Sequence, residues 1–115
     1  MTVETFSKNY DLTQMDVVSI LNVKEGLSVV IDMDFLMHFD GGNHVRTEFD
    51  MSFFHEFVFI GVHSERDYLS DPRILSQDYR DGVLYLKVDR DDVLIPECDI
   101  LIHKNVRPYI DHSIQ

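Results

Sequence analysis

Ser28-Val29-Val30-Ile31-Asp32-Met33-Asp34-Phe35-Leu36-Met37-His38-Phe39-Asp40 carries the clearest pattern in the chain. Val29, Ile31, Met33, Phe35, Met37 and Phe39 take alternate positions, with Val30, Asp32, Asp34, Leu36, His38 and Asp40 between them. Successive side chains of an extended backbone point to opposite sides, so a period of two sustained this far predicts a strand with one buried face. Gly41-Gly42-Asn43 follows, a turn composition that tolerates positive φ. Alternation then resumes through Val45, Thr47, Phe49, Met51 and Phe53, with His44, Arg46, Glu48 and Asp50 on the other side. A three-residue loop keeps the two apolar faces matched, whereas two or four residues would set apolar against polar. The expected hairpin pairs Phe39 with Val45, Met37 with Thr47 and Phe35 with Phe49. Its polar face sets His38 opposite Arg46 and Asp34 opposite Asp50.

Upstream, Val17 to Val23 reads as a second strand turning at Lys24-Glu25-Gly26, since β-branched residues dominate it. The alternative is a short helix opened by Asp11, with Leu12, Met15 and Val18 spaced at threes. Downstream, Phe54-His55-Glu56 interrupts the alternation, so a bulge or corner is expected there, followed by a buried strand over Phe57 to Val62. Ser64 to Arg73 is a polar loop. Ser70-Asp71-Pro72 resembles a helix start, a cap residue with proline at the first helical position, and predicts a short helix near 71–80. A competing reading makes Ile74 to Tyr79 a strand that turns at Asp81-Gly82. Val83 to Asp89 alternates again, with Leu84, Leu86 and Val88 on one side. Arg90-Asp91-Asp92 is a charged turn, Cys98 to Lys104 a final strand, and 105–115 a loosely attached tail. The expected fold class is all-β, an antiparallel β-sandwich or curled meander of six to seven short strands in a single domain.

The 115 residues, 44% of them hydrophobic, suffice for a core without disulfides or metals, since a chain of this size hides about two thirds of its extended surface. Ten Lys and Arg against twenty-one Asp and Glu give a formal net charge of -11. Nucleic-acid binders neutralise phosphates with clustered cations; here the cations are scattered, which argues against nucleic acid and against an anionic membrane surface. The one cysteine, Cys98, cannot form an internal disulfide. Its neighbours Glu97 and Asp99 would raise a thiol pKa, and core packing is its expected role. The longest apolar run, Phe57 to Val62, is far too short to span a membrane. The N-terminal segment lacks the basic and apolar regions of a signal peptide, so a cytoplasmic location is expected.

Chemistry-bearing constellations are sparse. His38, Asp40 and His44 flank the Gly41-Gly42 turn on one face and form the candidate metal set; a solvated hairpin tip is the competing reading. Asp89-Arg90-Asp91-Asp92 and Asp32-Met33-Asp34 concentrate carboxylates but do not match a calcium loop. No Gly-x-Ser-x-Gly, phosphate-binding glycine loop or Cys-x-x-Cys occurs, and no cofactor is expected. Among the aromatic residues around Phe57, an outward-facing Phe54 or Phe57 would create an apolar contact patch; otherwise both serve the core.

A short acidic chain of antiparallel strands without catalytic signatures is similar to various small bacterial proteins, among them immunity proteins that neutralise toxins. The likeness is one of size and pattern and carries over no residue. The sequence therefore points to a non-enzymatic interaction module that binds another protein or itself. Asp32, Asp34, Glu48 and Asp50 would offer complementarity to a basic partner, with Phe54 and Phe57 as candidate apolar contacts. The alternative is a small ligand- or metal-binding domain or enzyme with a pocket of histidine and carboxylates, using His38, His44 or His55.

Overall fold

The computed structural model describes residues 1–32, 54–104 and 106. The hairpin about Gly41-Gly42-Asn43, with its pairs, and the tail beyond Val106 lie outside the described residues.

The described part of the alternating segment, residues 28–32, lies in a strand. Within the described residues it is β2, Gly26–Asp32, with Leu27, Val29 and Ile31 fully buried on one face. It lies between β1 (Asp16–Asn22) and β3 (Phe54–Ile60), antiparallel to both. Ser28 and Val30 on its other face are also buried, as befits an interior strand covered on both sides. Gly26 is required at the entry to β2: a Cβ there would stand 2.0 Å from the Phe59 carbonyl oxygen.

The segment expected to bulge at Phe54-His55-Glu56 is instead a regular part of β3, opposite Asp32, Ile31 and Val30. Both faces of β3 bury apolar residues, so a break in alternation there needs no bulge. The register shifts occur elsewhere, between Val17 and Ser19 in β1 and between Ile74 and Ser76 in β4.

Ile74–Arg80 is the strand β4, which corrects the helix expected near 71–80. Ser70 and Asp71 both adopt left-handed backbone, φ 64° and 58°, where a helix cap needs extended backbone. Asp81 and Gly82 have φ 53° and 78°, a two-residue hairpin turn with both residues left-handed whose twist matches that of the flanking strands. It folds β4 onto β5 (Val83–Val88), with Arg80 opposite Val83. Pairing with β5 thus decides the conformation of β4 over its local helix signal. β6 (Asp91–Pro96) was not expected as a strand; its aspartates read as a turn, yet Val93 and Ile95 are buried at alternate positions. β7, Ile100–Lys104, begins two residues later than expected.

Among the described residues there are seven strands in two antiparallel sheets, ordered β1-β2-β3-β7 and β4-β5-β6. The second sheet is a meander inserted between β3 and β7. Leu27, Val29, Ile31, Phe57 and Phe59 of the first sheet share one core with Leu84, Leu86, Val88, Val93 and Ile95 of the second. The all-β class holds.

A helix, α1 (Val3–Asn9), was not foreseen. Thr2 caps it by accepting from the Thr5 amide at 3.1 Å. Val3 and Phe6, three residues apart, face the core and are fully buried. Phe6 packs edge-on against Phe57 and Phe59, ring centres 5.0 and 5.2 Å away. Burial of that ring stabilises by about 1.5–3 kcal/mol. Asp11 opens no full helix but caps one 3-10 turn, Leu12–Gln14. Gln77 of β4 clamps the turn, accepting from the Leu12 amide and donating to the Tyr10 carbonyl.

Edge strands expose unpaired backbone and invite aggregation unless covered. Here the segment 64–71 lies along the outer edge of β1. Asp67 accepts from the Asn22 amide, Ile20 and Tyr68 exchange two backbone hydrogen bonds at 2.8 and 2.7 Å, and the Asp71 amide donates to the Val18 carbonyl. The Tyr68 hydroxyl then donates to Asp91 of β6 at 2.6 Å, and Arg66 pairs with the same carboxylate at 2.8 Å. This strap ties one sheet to the other.

Candidate docking groove

β1 and β2 end their ladder on a pair of carboxylates: Asp16, the first residue of β1, stands opposite Asp32, the last of β2. This rung borders a groove of about 790 Å³ at one end of the two sheets. One wall is the 3-10 turn and Met15; the opposite wall is Asp71-Pro72-Arg73 and the start of β4. Met15, Val17, Val18 and Ile74 contribute apolar surface.

Local structure holds both walls. Asp11 accepts from the Thr13 amide at 3.1 Å, which fixes the turn carrying Leu12 and Thr13. The register shift in β1 frees Val18 from pairing with β2, and its carbonyl takes the Asp71 amide at 3.0 Å. Left-handed Ser70 and Asp71 bring the chain back over β1. Arg73 is anchored to the β5–β6 turn, its carbonyl accepting from the Asp89 amide at 2.9 Å. The side chains at the mouth are therefore carried on braced backbone.

Among the described residues, the lining holds three aspartates and one cation, Arg73, and neither histidine nor cysteine. Among the described residues no three or more His, Cys, Asp or Glu side chains converge as metal ligands, so Asp16, Asp32 and Asp71 are spread along the groove rather than gathered on one point. Such a surface favours an extended cationic group over a point ion.

Of the residues singled out from the sequence, Asp32 lies at this groove. Asp34, Glu48 and Asp50, and the candidate metal set His38, Asp40 and His44, lie outside the described residues. Phe54 and Phe57 are 3% and 0% exposed, so neither contributes to an outward apolar patch. Phe57 packs in the aromatic cluster with Phe6 and Tyr10. His55 faces the same side of β3 as Phe57, with its Nδ1 buried and without a hydrogen-bond partner; it borders neither this groove nor the depression on the second sheet. Cys98 is half-buried against the core. Burial raises its thiol pKa, and Glu97 and Asp99 add to the shift in the expected direction.

Asp16, Asp71 and Arg73 were missed from the sequence. Asp71 and Arg73 are neighbours in the chain, but Asp16 lies far upstream and meets them only through the return of the strap along β1.

Comparison with protein-family models, curated proteins and solved structures gives no match to this chain.

Proposed function

We propose that the domain is a non-enzymatic protein-interaction module, of the inhibitor or immunity kind, whose groove at Asp16, Asp32 and Asp71 receives a basic segment of a partner protein. The observation that carries this reading is that the paired Asp16–Asp32 rung shares one groove with Asp71, with Arg73 as the one cation among the described lining residues. A chain of net charge -11 attracts a cationic partner over distance. The groove adds a fixed arrangement of carboxylates beside apolar surface, which sets orientation once contact is made. The cytoplasm is the compartment this reading takes, and a single half-buried thiol suits it. No described helix is long and apolar enough to cross a membrane.

The test separates the groove from the general acidity of the chain. A fluorescent lysine- and arginine-rich peptide is titrated against the wild type, an Asp16→Lys/Asp71→Lys variant and an Asp81→Lys/Asp99→Lys control of equal charge. The expected result is at least a tenfold weaker affinity and a shallower salt dependence for the groove variant, with the control near wild type. Equal weakening in both variants would mean diffuse attraction and would end the proposal.

A further inference from the structure

The outer face of the second sheet carries two carboxylates and two cations. Three rows of side chains cross it: Ser76, Lys87 and Asp92; Asp78, Tyr85 and Leu94; Arg80, Val83 and Pro96. Tyr85 stands at the centre of the middle strand. The Arg80 guanidinium lies over its ring, 4.4 Å from the centre, and pairs with Asp78 at 3.2 Å. Lys87 pairs with Asp92 at 3.5 Å. Leu94, beside Tyr85, is 50% exposed, among the most exposed large apolar side chains of the described residues. A shallow depression of about 490 Å³ runs among these groups.

We infer that this face is a contact surface for a second copy of the chain. Two molecules each carrying -11 repel one another wherever carboxylates dominate. Here two carboxylates and two cations balance, so the face of one copy meets the same face of another without net repulsion. An isologous contact requires such self-complementarity, because the same patch serves both sides. Tyr85 and Arg80 at its middle are residue types enriched among those that carry binding energy at interfaces. The rim ion pairs are exposed and individually weak, so exchanging partners across a two-fold axis costs little. The face is three strands wide, roughly 10–15 Å by 20 Å from ordinary strand spacings. At about 200–300 Å² per copy that is well below the area of a stable specific interface, so the contact is a weak, transient self-association rather than an obligate dimer.

The inference is independent of the acidic groove, which lies at the end of the sheets. Its test is sedimentation of the full chain over a concentration series, with Tyr85→Ala, Leu94→Asp, Leu101→Asp and Asp16→Lys variants, each checked for a native circular dichroism spectrum. Tyr85 and Leu94 point away from the core, so both substitutions leave the packing between the sheets intact. The expected result is a wild-type mass rising with concentration from 13.5 kDa towards twice that value. Leu94→Asp and Tyr85→Ala should stay monomeric, while Asp16→Lys and Leu101→Asp self-associate as the wild type does. A wild type that remains at 13.5 kDa throughout overturns the inference. So does a dimer abolished by Leu101→Asp on the β7 edge but not by Leu94→Asp.

Discussion

Two glycines show how one missing Cβ serves different ends. Gly26 sits where β2 passes β3 so closely that a methyl group would stand 2.0 Å from the Phe59 oxygen and 2.8 Å from the Gly61 nitrogen, both backbone atoms that cannot swing aside. Gly82 has open space around it and is constrained only by its φ of 78°. Gly26→Ala should therefore cost about 3–5 kcal/mol, the range of the most damaging single substitutions. Gly82→Ala should cost about 1–2 kcal/mol, the left-handed penalty of a residue with a Cβ. Urea unfolding of both variants checks the order; a Gly26→Ala chain as stable as the Gly82→Ala chain would show that β2 and β3 do not approach in this way. Gly26 was legible in the sequence only as a turn residue, because its real constraint comes from Phe59, distant along the chain. The burial of Phe54 and Phe57 was equally undecided by the sequence, where alternate aromatic residues leave either face open.

Strands announced themselves where one face is wet and the other dry. β5 displays Leu84, Leu86 and Val88 inward with Val83, Tyr85 and Lys87 outward, and its bounds were nearly read from that pattern. β4 hid behind Ser70-Asp71-Pro72, whose residue types suit a helix cap although two of them are left-handed here. β6 hid because it opens on two aspartates after a tight turn. The groove drew little from local sequence at all: Asp32 was singled out for its place in the alternating stretch, but Asp16 and Asp71 join it only through strand pairing and the strap. That strap makes its own prediction. The Tyr68 hydroxyl, and then Arg66, hold the Asp91 carboxyl below its usual pKa. A lowered folded pKa means that the contact contributes fully above the ordinary carboxylate range and is lost as pH falls through the lowered value. Acidification should therefore loosen the strap, and Asp91→Asn should weaken it at neutral pH while removing that share of the acid dependence. Amide exchange at Ile20 and Tyr68 reports it. Acceleration confined to these amides in Asp91→Asn, with β3 unchanged, is the expected result; unaltered protection would show that the carboxylate does not hold the strap.

The whole chain combines a packed two-sheet core with an uneven distribution of charge. Among the described residues, three carboxylates and one cation line the groove at one end of the sheets, while on the outer face of the meander two carboxylates balance two cations. The proposed basic partner belongs to the first arrangement and the proposed second copy to the other. Phe6 and Val3 of α1 are buried in the core shared by the two sheets. The most direct measurement is a 15N-resolved titration of the wild type with the basic peptide. Amide shifts should concentrate at Thr13, Asp16, Val18, Asp71 and Arg73, with those of Asp78, Asp81 and Asp99 nearly still. Shifts of equal size at all exposed aspartates, with no maximum at the groove, would contradict the proposed docking.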